Sequence, residues 1–198
     1  MRKLSIIFSI LLTIFSFSFS YQFYGFPYFL KIEDFELTNQ DGKKVRLSDF
    51  KDKYLMIFFG YTYCPDVCPT TMLRIKETLD ELGDYKDKVK VLFISVDPER
   101  DTPESIKKFI SFYDKSGKYI EGLTGTKEEI DKVAKQFKAY YKKVPIENKE
   151  VGYLVDHTAY IYLVDPKGVL RLIYRPSNDD PKKIAEDIKR VIDMFSRH

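Results

Sequence analysis

Apolar and polar positions along this chain fall into several patterns, and each predicts a different element. Tyr54–Gly60 and Val89–Ser95 are short apolar runs, as expected of strands buried on both faces. Between them, Thr70–Leu82 follows a helical period. Phe35–Ser48 reads as a β-hairpin turning at Asn39-Gln40-Asp41-Gly42, with glycine at a positive-φ position. Residues 49–53 form a polar loop. Thr102 is placed to cap a helix with Pro103 in its first turn, running to about Tyr113. Ile120–Leu123 predicts a short strand, and Thr126-Lys127-Glu128-Glu129 is a capping box for a helix to about Phe137. Val155–Val164 predicts one strand, Asp165-Pro166-Lys167-Gly168 a turn, and Val169–Tyr174 its antiparallel partner. Asp180 and Pro181 open a last helix ending near Phe195. Strands alternating with helices predict an α/β fold: a central mixed β-sheet flanked by helices, with an N-terminal β-hairpin.

The first residues follow a different logic. Met1-Arg2-Lys3 is basic, Leu4–Phe19 is apolar apart from serine and threonine, and Ser18-Phe19-Ser20 has small residues at its ends. This predicts a secretory signal peptide over residues 1–20, with a mature N-terminus near Tyr21. The alternative is an uncleaved membrane anchor, for which the run falls short of about 20 apolar residues. No cysteine follows the run, so no lipid-modified cysteine is expected. Residues 21–34 are then a linker and 35–198 the folded domain. An exported chain is expected in the periplasm, soluble or tethered to the inner membrane by its N-terminal segment. That compartment is oxidising. The net charge of +3 is spread along the chain, so no basic cluster argues for nucleic acid.

Candidate chemistry gathers at the two cysteines, Cys64 and Cys68, with three residues between them. The apolar run ending at Gly60 leads in, and the helical pattern leads out. Pro65 suits a first helical position, which puts Cys64 at or just before a helix N-terminus, where a thiolate is favoured. Strand, cysteine and helix N-terminus resemble the layout of thioredoxin-like redox sites, which usually have two residues between the cysteines. Residues four apart on a helix hold their Cβ atoms about 5–6 Å apart. A disulfide wants about 3.5–4.5 Å, whereas a shared metal spans more, with bonds to sulfur of about 2.3 Å. The spacing permits redox cycling and favours a metal; two thiolates select soft ions, Cu(I) first. A structural disulfide or two core thiols are the plainer readings.

His157 is the third candidate ligand. In thioredoxin-like folds the residue at the start of this strand faces the cysteine motif and is usually proline. Cys64, Cys68 and His157 would make a three-donor site for Cu(I), and for Cu(II) with a further ligand. The other histidine, His198, ends the sequence. Asp97 closes the second core strand, at the end that borders sites in α/β sheets. It is expected either to orient His157 or balance a metal's charge, or to form a turn before Pro98. Met72, one turn beyond Cys68, is read as core rather than as a soft ligand.

Three blocks taken together resemble the Sco/SenC family of copper-binding assembly proteins. They are Phe59–Thr71 around the cysteines, Ser95–Pro103, and Val155–Thr158 with Tyr162–Gly168. The resemblance implies a thioredoxin-like fold and copper held by Cys64, Cys68 and His157. It also implies a role as a metallochaperone in building the dinuclear copper site of cytochrome c oxidase. The expected partner is that oxidase's copper-site subunit, or another copper donor or acceptor. Tyr63 stands where many members have histidine, and the membrane anchor is weaker than is usual. The rival reading is a thiol–disulfide oxidoreductase, with Cys64 as nucleophile and Cys68 as resolving thiol. A peroxide-reducing enzyme is less well matched: only the hydroxyls of Thr62, Thr70 and Thr71 lie near in sequence, without an arginine.

Overall fold

The computed structural model describes residues 22–147 and 152–195. The N-terminal apolar segment, the expected cleavage point and His198 lie outside the described residues. Among the described residues, ten strands form two sheets. The main sheet has eight strands in the order β1-β10-β9-β4-β5-β6-β2-β3. Its centre is β4 (Tyr54–Gly60), with all seven residues buried. On one side β4 pairs in parallel with β5 (Val89–Ser95), from Tyr54 opposite Val89 to Gly60 opposite Ser95. On the other side it pairs antiparallel with β9 (Ile161–Val164). Beyond β9 come β10 (Val169–Tyr174) and β1 (Phe26–Lys31), both antiparallel to their neighbours. Beyond β5 lies β6 (Ile120–Thr124), parallel, then the hairpin of β2 (Glu36–Asn39) and β3 (Lys44–Arg46). That hairpin turns as expected, with Gly42 at φ +75° and the Asn39 carboxamide accepting from the Asp41 and Lys43 amides.

Among the described residues, four α-helices cover the sheet: α1 (Val67–Glu81), α2 (Pro103–Ser111), α3 (Lys127–Gln136) and α4 (Pro181–Phe195). The sequence signals for α2 and α3 are realised. Thr102 accepts from the Ser105 amide, while Thr126 and Glu129 satisfy each other's amides reciprocally. The first helix packs against α4, and α2 against β6. Gly122 makes the second contact close: a Cβ there would stand 2.1 Å from Ile106 Cγ2.

Three elements depart from the sequence reading. The expected strand Val155–Val164 is two strands. Its first part belongs to β8 (Tyr153–His157), which pairs with β7 (Tyr141–Pro145) as a separate two-stranded ribbon. Only β9 enters the main sheet. The reason is burial: β9 is buried at every position between β4 and β10, whereas β8 carries the exposed Asp156 and could not lie there. His157 therefore ends a ribbon strand rather than starting a core strand. Secondly, β1 occupies part of the stretch read as linker. Pro27 and largely exposed positions mask it in sequence, and an edge strand tolerates both. Thirdly, α1 begins at Val67 after Asp66 at φ −144°, so Pro65 precedes the helix rather than opening it.

The close approach at Gly122 yields a prediction. Gly122→Ala should destabilise the fold by about 1–3 kcal/mol, the usual cost of overpacking. Urea unfolding should show a lower midpoint at unchanged slope. An unchanged midpoint would mean that α2 moves away freely.

Candidate metal centre

The parallel pair β4–β5 ends at one level, and the chain leaving β4 forms the cysteine loop. A buried carboxylate fixes that loop. Asp101 accepts from the Thr62 hydroxyl at 2.6 Å, the Thr62 amide at 3.0 Å and the Ser95 hydroxyl at 2.6 Å. Cys64 follows, half-buried, and its amide donates to the Tyr61 carbonyl at 3.3 Å. Cys68 lies in the first turn of α1 and is fully buried. Gly60 makes room for it, since a Cβ there would stand 3.1 Å from the Cys68 sulfur.

His157 arrives from the ribbon. Its Nε2 is 3.2 Å from Cys68 Sγ, and its Nδ1 faces the Thr158 carbonyl oxygen at 3.4 Å. Tyr61 meets the imidazole edge-on at 5.8 Å between centroids, and Phe58 at 6.1 Å. The Tyr61 hydroxyl also accepts from the Val155 amide at 3.2 Å, tying β8 to the cysteine loop. The donor atoms of Cys64, Cys68 and His157 all lie within 4.8 Å of one another. Bonds of about 2.3 Å to sulfur and about 2.0 Å to imidazole let donors up to roughly 4.6 Å apart share one ion. The three donors fit a soft metal with little movement.

The two sulfurs differ electrostatically. A hydrogen bond from Cys68 pulls the Cys64 thiol far below its ordinary pKa, helped by His157 and by the Asp66 and Cys68 amides, against the cost of burial. That amide of Cys68 lies 3.3 Å from Cys64 Sγ. Cys68 moves the other way, pushed up by burial first and then by the neighbouring Cys64. The resting reduced pair is a thiolate at Cys64 beside a thiol at Cys68. Burial and the nearby Cys64 push Tyr61 up to about 12, so its phenol stays neutral.

Asp97 forms the turn before Pro98, its carbonyl accepting from the Arg100 and Asp101 amides, and does not orient His157 directly. It is fully buried, but both carboxylate oxygens are engaged away from His157. One accepts from Arg100 Nε at 2.5 Å and the other from the Tyr153 hydroxyl at 2.8 Å. Arg100 in turn donates to the Tyr153 carbonyl at 3.0 Å and stacks 3.7 Å from the Tyr153 ring. Asp97 therefore staples the start of β8 and acts on His157, at the far end of that strand, only indirectly. Arg100 and Tyr153 were not singled out from sequence. Arg100 was visible beside Asp97 in the second block, but Tyr153 carries no local signal. Met72 is buried core, as expected. Tyr63 is exposed, with Arg100 5.2 Å from its ring. An apolar groove of about 470 Å³ opens beside Cys64 and His157, walled by Val67, Val144 and Leu154.

A family model described as SCO1/SenC matches residues 29–193. The chain belongs to the SCO1/SenC family. It is 36% identical to a SCO2-like protein of Rickettsia felis over 157 residues, covering 79% of this chain and 74% of that one. It is 39% identical to the mitochondrial SCO1 homolog of Homo sapiens over 156 residues, 78% of this chain. There it spans only 50% of the human protein. The fold is that of these thioredoxin-like proteins. The copper-bound structure of Bradyrhizobium japonicum ScoI superposes with a TM-score of 0.72 at 44% identity, covering 81% of this chain and 98% of that one. BsSco, described as having a disulfide switch and as a member of the Sco family of cytochrome c oxidase assembly proteins, superposes at 0.69. It is 29% identical, over 89% of this chain and 99% of its own.

The asymmetry of this SCO1/SenC cysteine pair is directly testable. In the reduced, metal-free protein, iodoacetamide should label Cys64 well before Cys68. The Cys64 rate should stay nearly flat between about pH 5 and 8, because the thiolate is already formed. An ordinary thiol would gain about tenfold per pH unit over that range. A tenfold rise per unit at Cys64 would refute the thiolate assignment.

Proposed function

We propose that this chain is a copper metallochaperone that holds one copper ion with Cys64, Cys68 and His157. It would deliver that ion to the dinuclear copper site of cytochrome c oxidase. The observation that carries the reading is the convergence of two sulfurs and an imidazole from three separate chain positions. Copper in the related ScoI structure and the assembly role of BsSco support it. Soft thiolates suit Cu(I), and the imidazole adds the donor that Cu(II) needs. Loading must displace the Cys68 proton, so it is favoured by rising pH and competes with oxidation of the pair. Transfer follows by ligand exchange: acceptor thiolates enter from the groove beside Cys64, the more exposed sulfur. The partner in this reading is the oxidase's copper-site subunit, or another copper donor or acceptor.

The place of action is the exported, periplasmic side of the membrane, with the N-terminal segment as leader or tether. Among the described residues no helix is long and apolar enough to cross a membrane.

A second reading has its own observation, the depressed and half-exposed Cys64 thiolate. As a thiol–disulfide oxidoreductase, Cys64 would attack one sulfur of an acceptor disulfide and expel the other as thiolate. Cys68, giving up its proton, would then attack Cys64 and release the second acceptor thiolate. The chain would end as a Cys64–Cys68 disulfide, reset by an external dithiol. The raised Cys68 pKa opposes the second step.

Copper titration of the reduced protein separates the ligand set. Cys64→Ser and Cys68→Ser should each abolish tight binding. His157→Ala should weaken Cu(II) by more than the ~10–100-fold typical of losing an outer-shell partner, and Cu(I) far less. Unchanged affinity for both ions in His157→Ala would rule out the three-donor site.

In cells, His157→Ala keeps both sulfurs and removes only the imidazole. A chaperone variant of this kind should lose oxidase copper and respiration, with partial rescue by added copper. Normal oxidase activity at low copper would instead promote the reductase.

A further inference from the structure

Three large exposed aromatics crowd into six residues at one edge of the molecule. Tyr24, Phe26 and Phe29 are 48%, 68% and 76% exposed. They lie on β1 or just before it, and β1 closes the main sheet on that side. Cations surround them. Lys183 lies 5.0 Å from the Tyr24 ring, Lys138 5.5 Å from Tyr28, and Arg171 5.8 Å from Phe29. Arg171 is also paired with Asp165, so its charge is shared.

We propose that this edge rests on an anionic lipid bilayer. Tyr24, Phe26 and Phe29 enter the headgroup–acyl boundary, where aromatic rings are favoured. Lys183 and Lys138 face the lipid phosphates. The sequence before the edge says what covers it. The apolar run ends at Phe19, with four residues between it and Tyr24, so five chain steps separate the two. Fully extended, they reach at most about 18 Å. A run seated in the membrane therefore holds β1 at headgroup level. The aromatics and cations belong to the folded domain, however, and their exposure does not require the run to be retained.

Strand addition by a second copy or a peptide fits this edge poorly. Pro27 has no N–H to offer, and the β1–β10 register shifts between Pro27 and Leu30. Both features blunt an edge against pairing.

The orientation has a consequence for the metal centre. Phe26 pairs with Ile173, Ile173 with Tyr162, and Tyr162 with Ile57 of β4. Phe26 therefore stands level with Ile57, the middle of β4, and β1 runs from there toward the end of the sheet away from the cysteines. Three strand spacings separate β1 from β4, about 14 Å. Contact along β1 therefore leaves the Cys64 groove beyond the contacted stretch.

The chain has no tryptophan, which permits a clean probe. Phe29→Trp and, as control, Phe112→Trp are made singly in the full chain. Phe112 is 70% exposed and follows α2, which packs on β6 five strands from β1. Both replace an exposed ring with a ring, and unchanged melting temperatures establish that both fold. Each is reconstituted with vesicles containing about one-third anionic lipid, with and without bromines high on the acyl chains. The expected result is a blue-shifted Phe29→Trp emission, quenched several-fold by bromolipid, with Phe112→Trp unshifted and unquenched. Equal, water-like emission from both would overturn the proposal. So would a blue shift at Phe29→Trp that follows protein concentration and ignores bromolipid, since a second copy would then cover the edge. No metal enters the readout, so the result stands apart from the copper reading.

Discussion

Burial of β4 on both faces and along both edges is the constraint from which the rest follows. An apolar strand of seven buried residues is held between β5 and β9, which forces its exit to a single place at the sheet's end. Two small residues, Gly60 and Ser95, stand there in register. Gly60 leaves the space that Cys68 fills, and Ser95 donates to the carboxylate that fixes Thr62. Position of the cysteines is thus set by the core, and the loop has little freedom of its own.

The imidazole has a different mechanical origin. His157 rides on a two-stranded ribbon outside the main sheet, joined to the body by side chains. The Tyr61 hydroxyl holds the Val155 amide, and Asp97 with Arg100 holds Tyr153. Most ion pairs among the described residues are exposed and contribute little. The Asp97–Arg100 pair is not of that kind, with the carboxylate fully buried and Arg100 largely so. Removing one partner of such a pair typically costs about 3–5 kcal/mol. Loss of metal binding on replacing Asp97 would therefore not make Asp97 a ligand, since release of the ribbon would move His157.

Much of the core and the three donors were legible in the sequence, for physical reasons that can be named. Continuous apolar runs mark β4 and β5 because both faces are covered. Thr102 and Thr126 mark helix starts because a hydroxyl satisfies an amide left open at a helix N-terminus. Cys64, Cys68 and His157 stand out because few residue types bind soft metals. The ribbon was not legible. The strand β7 contains Lys142, Lys143 and Pro145 and lies half in solvent, so neither alternation nor a continuous run appears. Val155 and Ile161 looked like one strand because both are apolar and buried, although they serve different sheets. Asp97 was placed at the right end of β5, but its partner Tyr153 lies fifty-six residues away. Only the fold brings them together.

The division between a rigid cysteine half and a stapled imidazole half gives the centre graded behaviour. Two thiolates fixed by the core would suffice for a soft monovalent ion without the ribbon. A harder divalent ion needs the imidazole in place, and so depends on the contacts of Tyr61 and Tyr153 as well. Any loosening of the ribbon would therefore weaken the grip on a divalent ion more than on a monovalent one. Val144 and Leu154, carried by that ribbon, wall the groove beside Cys64. Docking in the groove and the grip of His157 are therefore mechanically linked through the same two strands.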